Sequence, residues 1–123
     1  MANALTTTIK LHDGPRFIAS GEDSIWVLNQ GDGTVQRVDG KSGKLLATIE
    51  TGLLSARSGG DIVCGAGYVW ISMPGMPVAQ IGPRTNGWLV RTFKGGRMGD
   101  AIRYGAGSLW VSGPAIYRIE PPK

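Results

Sequence analysis

The chain has 123 residues, a length that suits one domain. Hydrophobic residues make up 41% of it and charged residues 18%, so the chain can build a core and is not compositionally disordered. The net charge of +4 comes from basic residues spread singly along the sequence, which argues against nucleic-acid binding, and no apolar run approaches the ~18 residues that would span a membrane.

Two residue types and the N-terminus narrow the possibilities further. Cys64 is the single cysteine, which excludes an intrachain disulfide and a cysteine-based zinc cluster. The 20 glycines follow no collagen period and indicate many turns. The first residues lack the basic start and the apolar stretch of a secretory signal, so no signal peptide is expected in this chain.

The first predicted element is a strand at Leu5–Lys10, which aligns with a later segment at Leu45–Glu50. Three longer segments then share one pattern: a short strand, a turn with glycine, and a second strand with tryptophan at a fixed place. These segments are Ile18–Val27, Ile62–Ile71 and Ile102–Val111. The tryptophans are 44 and 40 residues apart, which suits propeller blades of four strands with about 40–50 residues each.

The rest of each repeat predicts the outer strands of a blade. Short β-branched runs between Gly, Asn, Asp and Pro indicate hairpins, and no sustained helical periodicity is present. The sequence therefore predicts an all-β chain with one blade at 14–56, a second at 57–97, and the first three strands of a third at 98–123. Residues 1–13 are expected to supply the fourth strand of such a split blade.

Three stretches of the first repeat carry a family resemblance: Ser24–Asn29, Gly33–Asp39 and Lys41–Ile49. They resemble the YVTN-type β-propeller repeat proteins and, more distantly, the propellers of the virginiamycin B (streptogramin) lyases. The resemblance covers nearly the whole chain and implies a β-propeller. Those families typically have six to eight blades and are often periplasmic or secreted, so the same location is implied for this chain.

The chain provides only three blades, whereas propellers need about four to eight. An arc of three would leave apolar faces and strand edges exposed, which favours association. We therefore expect a homodimer that closes as a six-bladed ring, with each N-terminal strand completing the last blade of its own chain or of its partner. The alternative is a monomeric stack of twisted sheets.

The three equivalent tryptophans, Trp26, Trp70 and Trp110, are predicted to fill the layers between blades as structural core. The glycines that precede them, Gly21, Gly65 and Gly105, are interpreted as turn residues. No glycine-rich phosphate loop before a helix is present.

Candidate ligand-binding residues lie in the loops expected to share one mouth of the ring. Each loop before a first strand carries one arginine: Arg16, Arg57 and Arg97. Because a guanidinium offers a planar set of donors, these residues predict a site for a small anionic ligand or a peptide. Asp61 and Asp100 follow two of them closely, so an equally open alternative is that they neutralise the arginines. Asn29 belongs to the neighbouring loop of the same mouth.

The predicted function is a non-catalytic binding or scaffold module. A streptogramin-lyase-like enzyme is the alternative, but it needs a histidine and glutamate constellation with a metal, and His12 is the single histidine. We expect His12 to be a surface residue, Cys64 to be a small buried residue, and no metal, cofactor or membrane to be involved. A further alternative is a fragment or engineered half-propeller without a function of its own.

Overall fold

The structure is a computed structural model that describes residues 4–52, 59–83, 88–93 and 100–121. These residues form eleven strands and no α-helix, which confirms the all-β prediction. Among them, no helix has the length and apolar character needed to cross a membrane.

The strands form three antiparallel, blade-like sheets, which we call blades one to three. Blade one contains, in spatial order, β1 (Pro15–Gly21), β2 (Ser24–Asn29), β3 (Thr34–Asp39) and β4 (Leu45–Glu50). Blade two contains β5 (Asp61–Gly65), β6 (Tyr68–Ser72), β7 (Val78–Gly82) and β8 (Trp88–Phe93). Blade three contains β9 (Ile102–Gly105), β10 (Ser108–Ser112) and β11 (Ile116–Ile119).

The first hairpin of every blade closes through two residues with positive φ. They are Glu22 and Asp23 in blade one, and an Ala-Gly pair in each of the other two blades, at 66–67 and 106–107. Two positive φ values are the feature of the type I′ turn, whose twist matches that of the flanking strands. Gly21, Gly65 and Gly105 end the preceding strands and occupy the first position of these four-residue turns, where no positive φ is needed.

The cores lie between the blades. Between blades one and two, Trp26 and Leu28 pack with Val69 and Ile71, all fully buried. Between blades two and three, a second cluster surrounds Trp70 and contains Val78, Ile102, Leu109 and Val111. Alternation along the strands places one set of side chains on each face, so the blades stack in chain order with blade two in the middle.

The ends of the stack differ from the sequence prediction in two respects. Residues 4–11 belong to no strand, although residues 1–13 were expected to supply a fourth strand, and blade three has the three strands that were expected of 98–123. Trp110, predicted as core, is 37% exposed, whereas Trp26 and Trp70 are fully buried. Within one chain nothing described packs on the outer side of blade three, so its tryptophan and its outer edge stay open.

Candidate functional site

The two outermost sheet faces of the stack form the most extensive candidate site. We call the outer face of blade one the leading face, defined by Ile18, Ser20, Ile25 and Val27. We call the outer face of blade three the trailing face, defined by Gly105, Trp110, Ile116 and Arg118. Ile18 is 67% exposed and Ile116 is 69% exposed, although both are large apolar residues within strands. Exposed apolar sheet faces of this kind mark interaction surfaces.

The glycine at the end of each first strand allows a close approach between neighbouring blades. A Cβ built on Gly21 would lie 2.7 Å from the Cβ of Cys64 in blade two. A Cβ on Gly65 would lie 2.4 Å from Cγ of Tyr104 in blade three. Among the described residues, nothing lies within 4 Å of a Cβ on Gly105. Two of the three equivalent glycines are therefore covered by the next blade, and the third is open on the trailing face.

Trp110 and Arg118 of the trailing face make the same contacts within their blade as Trp26 and Arg37 make in blade one, where blade two covers them. Each indole N–H donates to the carbonyl of its blade's glycine, at 3.1 Å for Trp26, 2.9 Å for Trp70 and 2.9 Å for Trp110. The guanidinium of Arg37 lies 4.9 Å from the Trp26 ring centre, and that of Arg118 lies 5.8 Å from the Trp110 ring centre.

Both arginines also donate a hydrogen bond to a serine of their own blade, but only Arg37 donates to a neighbouring blade among the described residues. Nε of Arg37 donates to the hydroxyl of Ser24 at 2.7 Å, and Nε of Arg118 donates to the hydroxyl of Ser108 at 2.9 Å. Nη1 of Arg37 continues to the carbonyl of Pro83 in blade two at 3.1 Å. Nη2 of Arg118 instead forms an ion pair with Oε1 of Glu120 at 3.0 Å, within its own blade-three segment.

The leading face carries the residue types that blades two and three bury against the blade before them. Ile62, Val69 and Ile71 of blade two are at most 3% exposed, and their equivalents in blade three, Ile102, Leu109 and Val111, are fully buried. The blade-one equivalents are Ile18, Ile25 and Val27. The leading face therefore has the same apolar composition as these buried faces, although Ile18 is 67% exposed and Val27 is 6% exposed.

Only some of the predicted ligand-binding residues at the mouth of the ring lie in the described part of the chain. Arg57 and Arg97 lie outside the described residues, so their predicted roles stay predictions. Nη1 of Arg16 donates to Oε1 of Gln30 at 3.1 Å, and its guanidinium lies 5.6 Å from the Phe17 ring centre. Gln30 in turn donates to the carbonyl of Gly59 at 3.1 Å, which connects the first two blades.

The two predicted aspartates hold backbone and loops in place. Asp61 accepts the N–H of Ile102 at 3.1 Å and forms an ion pair with Arg103, which the sequence did not identify as its partner. Asp100 accepts the N–H of Gly60 at 3.2 Å. Both carboxylates therefore link blade two to blade three, a role that requires no ligand.

A polar cluster at the edge of blade one was not foreseen as a unit. Nδ1 of His12 lies 2.9 Å from Oδ2 of Asp32, and the His12 backbone N–H donates to Gln36 at 2.8 Å. Asn29, a predicted ligand residue, is fully buried and donates to Thr34 and Gln36, both at 3.0 Å. Within the described residues its Oδ1 accepts no hydrogen bond.

The charge of Asp32 is stabilised locally. Partial burial raises the pKa of this carboxyl. Hydrogen bonds from the hydroxyl and the backbone N–H of Thr34, together with His12, lower the pKa by more than burial raises it, so the net pKa lies below its ordinary value. His12 is exposed, as expected, but it anchors the segment before β1 to blade one. The spacing of the residues could not show this pairing, because His12 and Asp32 lie in different loops.

In the described part of the chain, no three His, Cys, Asp or Glu side chains come together as a metal site would require.

Cys64, expected to be buried, is only partly buried in the contact between blades one and two, because it packs at the edge of that cluster. Burial, and secondarily the negative charge of Glu22, raises the pKa of the Cys64 thiol to about 11. Because the thiolate is the nucleophilic form, this environment makes Cys64 a poor nucleophile near neutral pH.

Alkylation of Cys64 by iodoacetamide at pH 8 is therefore expected to be roughly 100-fold slower in the folded chain than in the urea-unfolded chain, since two pKa units separate about 11 from the ordinary 9.0. Mass spectrometry of timed samples measures both rates. Equal rates in the two states would show that the thiol is not held in the contact between the blades.

Comparisons with known proteins add no identification. No protein-family model matches the chain, and no curated protein matches it either.

Proposed function

We propose that this chain is a non-catalytic scaffold module of the β-propeller type, which completes a six-bladed ring by docking a second copy of itself. The leading face of each copy would pack against the trailing face of the other. Two copies of three blades give six blades, within the usual range of about four to eight. A two-fold axis through the centre of the ring would relate its two identical junctions.

The observation that carries the proposal is the open glycine of the trailing face. The two internal junctions share one contact. The glycine at the end of the first strand of one blade faces a side chain of the next blade, and that side chain belongs to the residue that immediately precedes the next blade's own glycine. Gly21 faces Cys64, and Gly65 faces Tyr104. Ser20 is the equivalent residue of blade one and is exposed on the leading face. The open place at Gly105 thus matches Ser20 of a second copy.

The arginine of the trailing face supports the same junction. Arg37 reaches the carbonyl of Pro83, which immediately follows β7 in blade two. The equivalent position after β3 in blade one is Gly40, which lines a groove on the leading face together with Ser20 and Ile25. In the proposed ring, Arg118 would donate to the carbonyl of Gly40 in the second copy. Each junction would then repeat the apolar and the polar contacts of the internal ones.

A scaffold role agrees with the chemistry of the described residues. The thiol of Cys64 is held in its weakly nucleophilic form, and Nδ1 of His12 is engaged by Asp32. Asp61 and Asp100 are used in contacts between blades. These residues stabilise the stack, and the two open faces that complement each other remain available for docking.

The proposal predicts a specific result for two variants mixed together. Ile18→Asp places a charge on the leading face, and Ile116→Asp places one on the trailing face. Both side chains are well exposed, so each variant is expected to fold but to remain a monomer. A mixed dimer would combine one junction that carries both charges with one junction that carries neither. Through its one unmodified junction, the mixture is expected to associate more strongly than either variant alone and less strongly than wild type, as measured by sedimentation equilibrium at matched concentrations.

Circular dichroism of each variant is the control for folding. Association of either variant alone at wild-type strength, or no association in the mixture while wild type associates, would contradict head-to-tail docking.

A further inference from the structure

We infer that residues 5–11 form the fourth strand of blade three in the second copy, so that the two chains exchange strands at each junction. This inference rests on the proposed function, because it specifies how the docked copies are joined. It concerns two features that the single chain leaves unexplained: an N-terminal segment that belongs to no strand and a sheet with an open outer edge.

The N-terminal segment already lies where a preceding blade would place its outer strand. Thr7, Ile9 and Leu11 line a groove of about 370 Å³ on the leading face, opposite Ile18 and Val27. Ile49 of β4 has the same relation to blade two, since it packs in the cluster that contains Ile62 and Ile71. Ile9 therefore lies on the face of blade one that corresponds to the face of blade two on which Ile49 packs.

The complementary edge belongs to β11. In blades one and two the third strand pairs with a fourth, β4 or β8, whereas β11 pairs only with β10 among the described residues. An unpaired edge offers backbone N–H and C=O groups to any added strand. Because it ends the trailing face, this edge would meet the leading face of the second copy, and with it the N-terminal segment.

The order of the blades excludes the same pairing within one chain. The N-terminal segment lies on the outer side of blade one, and β11 belongs to blade three. Blade two stands between them and contacts both neighbours through the two buried clusters. The segment can reach a β11 edge from its observed position only in another copy.

The register of the added strand follows from blade one. There Val35 pairs with Ile49, Gln36 with Thr48, and Arg37 with Ala47. Trp26 opposes Arg37 and Trp110 opposes Arg118, so Arg118 is the equivalent of Arg37. Transferred to the junction, these pairs become Ile116 with Ile9, Tyr117 with Thr8, and Arg118 with Thr7.

This register brings exposed apolar side chains together. Ile116 is 69% exposed and Ile9 is 40% exposed in the single chain, and the two would become direct cross-strand neighbours. The strand thus adds an apolar contact as well as backbone hydrogen bonds to the junction.

Disulfide trapping between two different variants tests the inference. One chain carries Ile9→Cys and the other carries Ile116→Cys, both in a Cys64→Ser background, since serine occupies the equivalent position in blade one. Directly opposite residues of antiparallel strands have Cα atoms about 4.5–5.5 Å apart, within the range of a disulfide. After mild oxidation we expect a disulfide-linked pair of chains in the mixture and little in either variant alone.

A matched control moves one cysteine by one residue. Tyr117→Cys lies on the opposite face of β11 from Ile116, so its mixture with the Ile9→Cys chain is expected to cross-link at least about tenfold less. Equal cross-linking of the two mixtures would overturn the inferred register.

A second measurement does not depend on the introduced cysteines. In the wild-type chain, hydrogen exchange of the β11 amides is expected to slow at concentrations where the chain associates, and this protection should disappear when residues 1–10 are deleted. A wild-type dimer with unprotected β11 amides and no specific cross-link would overturn the strand exchange but leave the docking proposal intact. A wild-type monomer would overturn both.

Discussion

Trp70→Ala is expected to lower the free energy of unfolding by about 3–5 kcal/mol, the usual cost of removing a buried tryptophan side chain. Trp70 is fully buried in the cluster between blades two and three, where its ring meets Tyr68 edge to face at 6.0 Å and its N–H donates to the carbonyl of Gly65. The substitution removes all of these contacts and leaves a cavity. Urea unfolding followed by circular dichroism measures the loss.

Trp110→Ala is the matched control, because Trp110 occupies the equivalent position and makes the same hydrogen bond to its own glycine. It is 37% exposed in the single chain, so less apolar contact is lost when one copy folds alone. We expect a smaller loss of monomer stability than for Trp70→Ala, together with a large loss of association. If both variants lost the same stability as monomers, the trailing face would not be open as described.

The second large effect concerns the glycines at the ends of the first strands. Gly65→Ala is expected to destabilise folding by about 1–3 kcal/mol, because the new Cβ would lie 2.4 Å from Cγ and 2.6 Å from Cβ of Tyr104. These atoms are close to the Tyr104 backbone, so a change of rotamer cannot move the Cβ away. Thermal unfolding measures the effect.

Gly105→Leu probes the same position where no described residue covers it. The isolated chain is expected to retain its fold, since nothing described lies within 4 Å of the new Cβ and Gly105 has no positive φ. In the ring, the leucine would overlap Ser20 of the second copy at both junctions. At about 1–3 kcal/mol for each junction, association should weaken by a factor of at least about 30. A chain that unfolds, or one that associates like wild type, would contradict this prediction.

The regular features of the fold could be predicted from the sequence because they repeat locally. The equal placement of Trp26, Trp70 and Trp110 correctly located the second strand of each sheet, and the turn residues between strands located the hairpins. Such signals depend on neighbours within a few residues, which a single sequence contains in full.

Other features depend on contacts between distant segments and were missed or misjudged. The glycine at position 65 is required by the ring of Tyr104 in the next blade, which no turn motif reveals. Asp61 pairs with Arg103 across blades, although arginines closer in sequence were the expected partners. The exposure of Trp110 follows from its place at the end of the stack, since its local sequence matches that of the buried tryptophans.

The mass of the wild-type chain in solution separates the ring from the isolated stack. Sedimentation equilibrium at neutral pH over a range of concentrations is expected to give twice the 13.0 kDa of one chain, about 26 kDa, with dissociation only on dilution. A mass of 13.0 kDa at every concentration would contradict the docking of the leading face on the trailing face, and with it the proposed function.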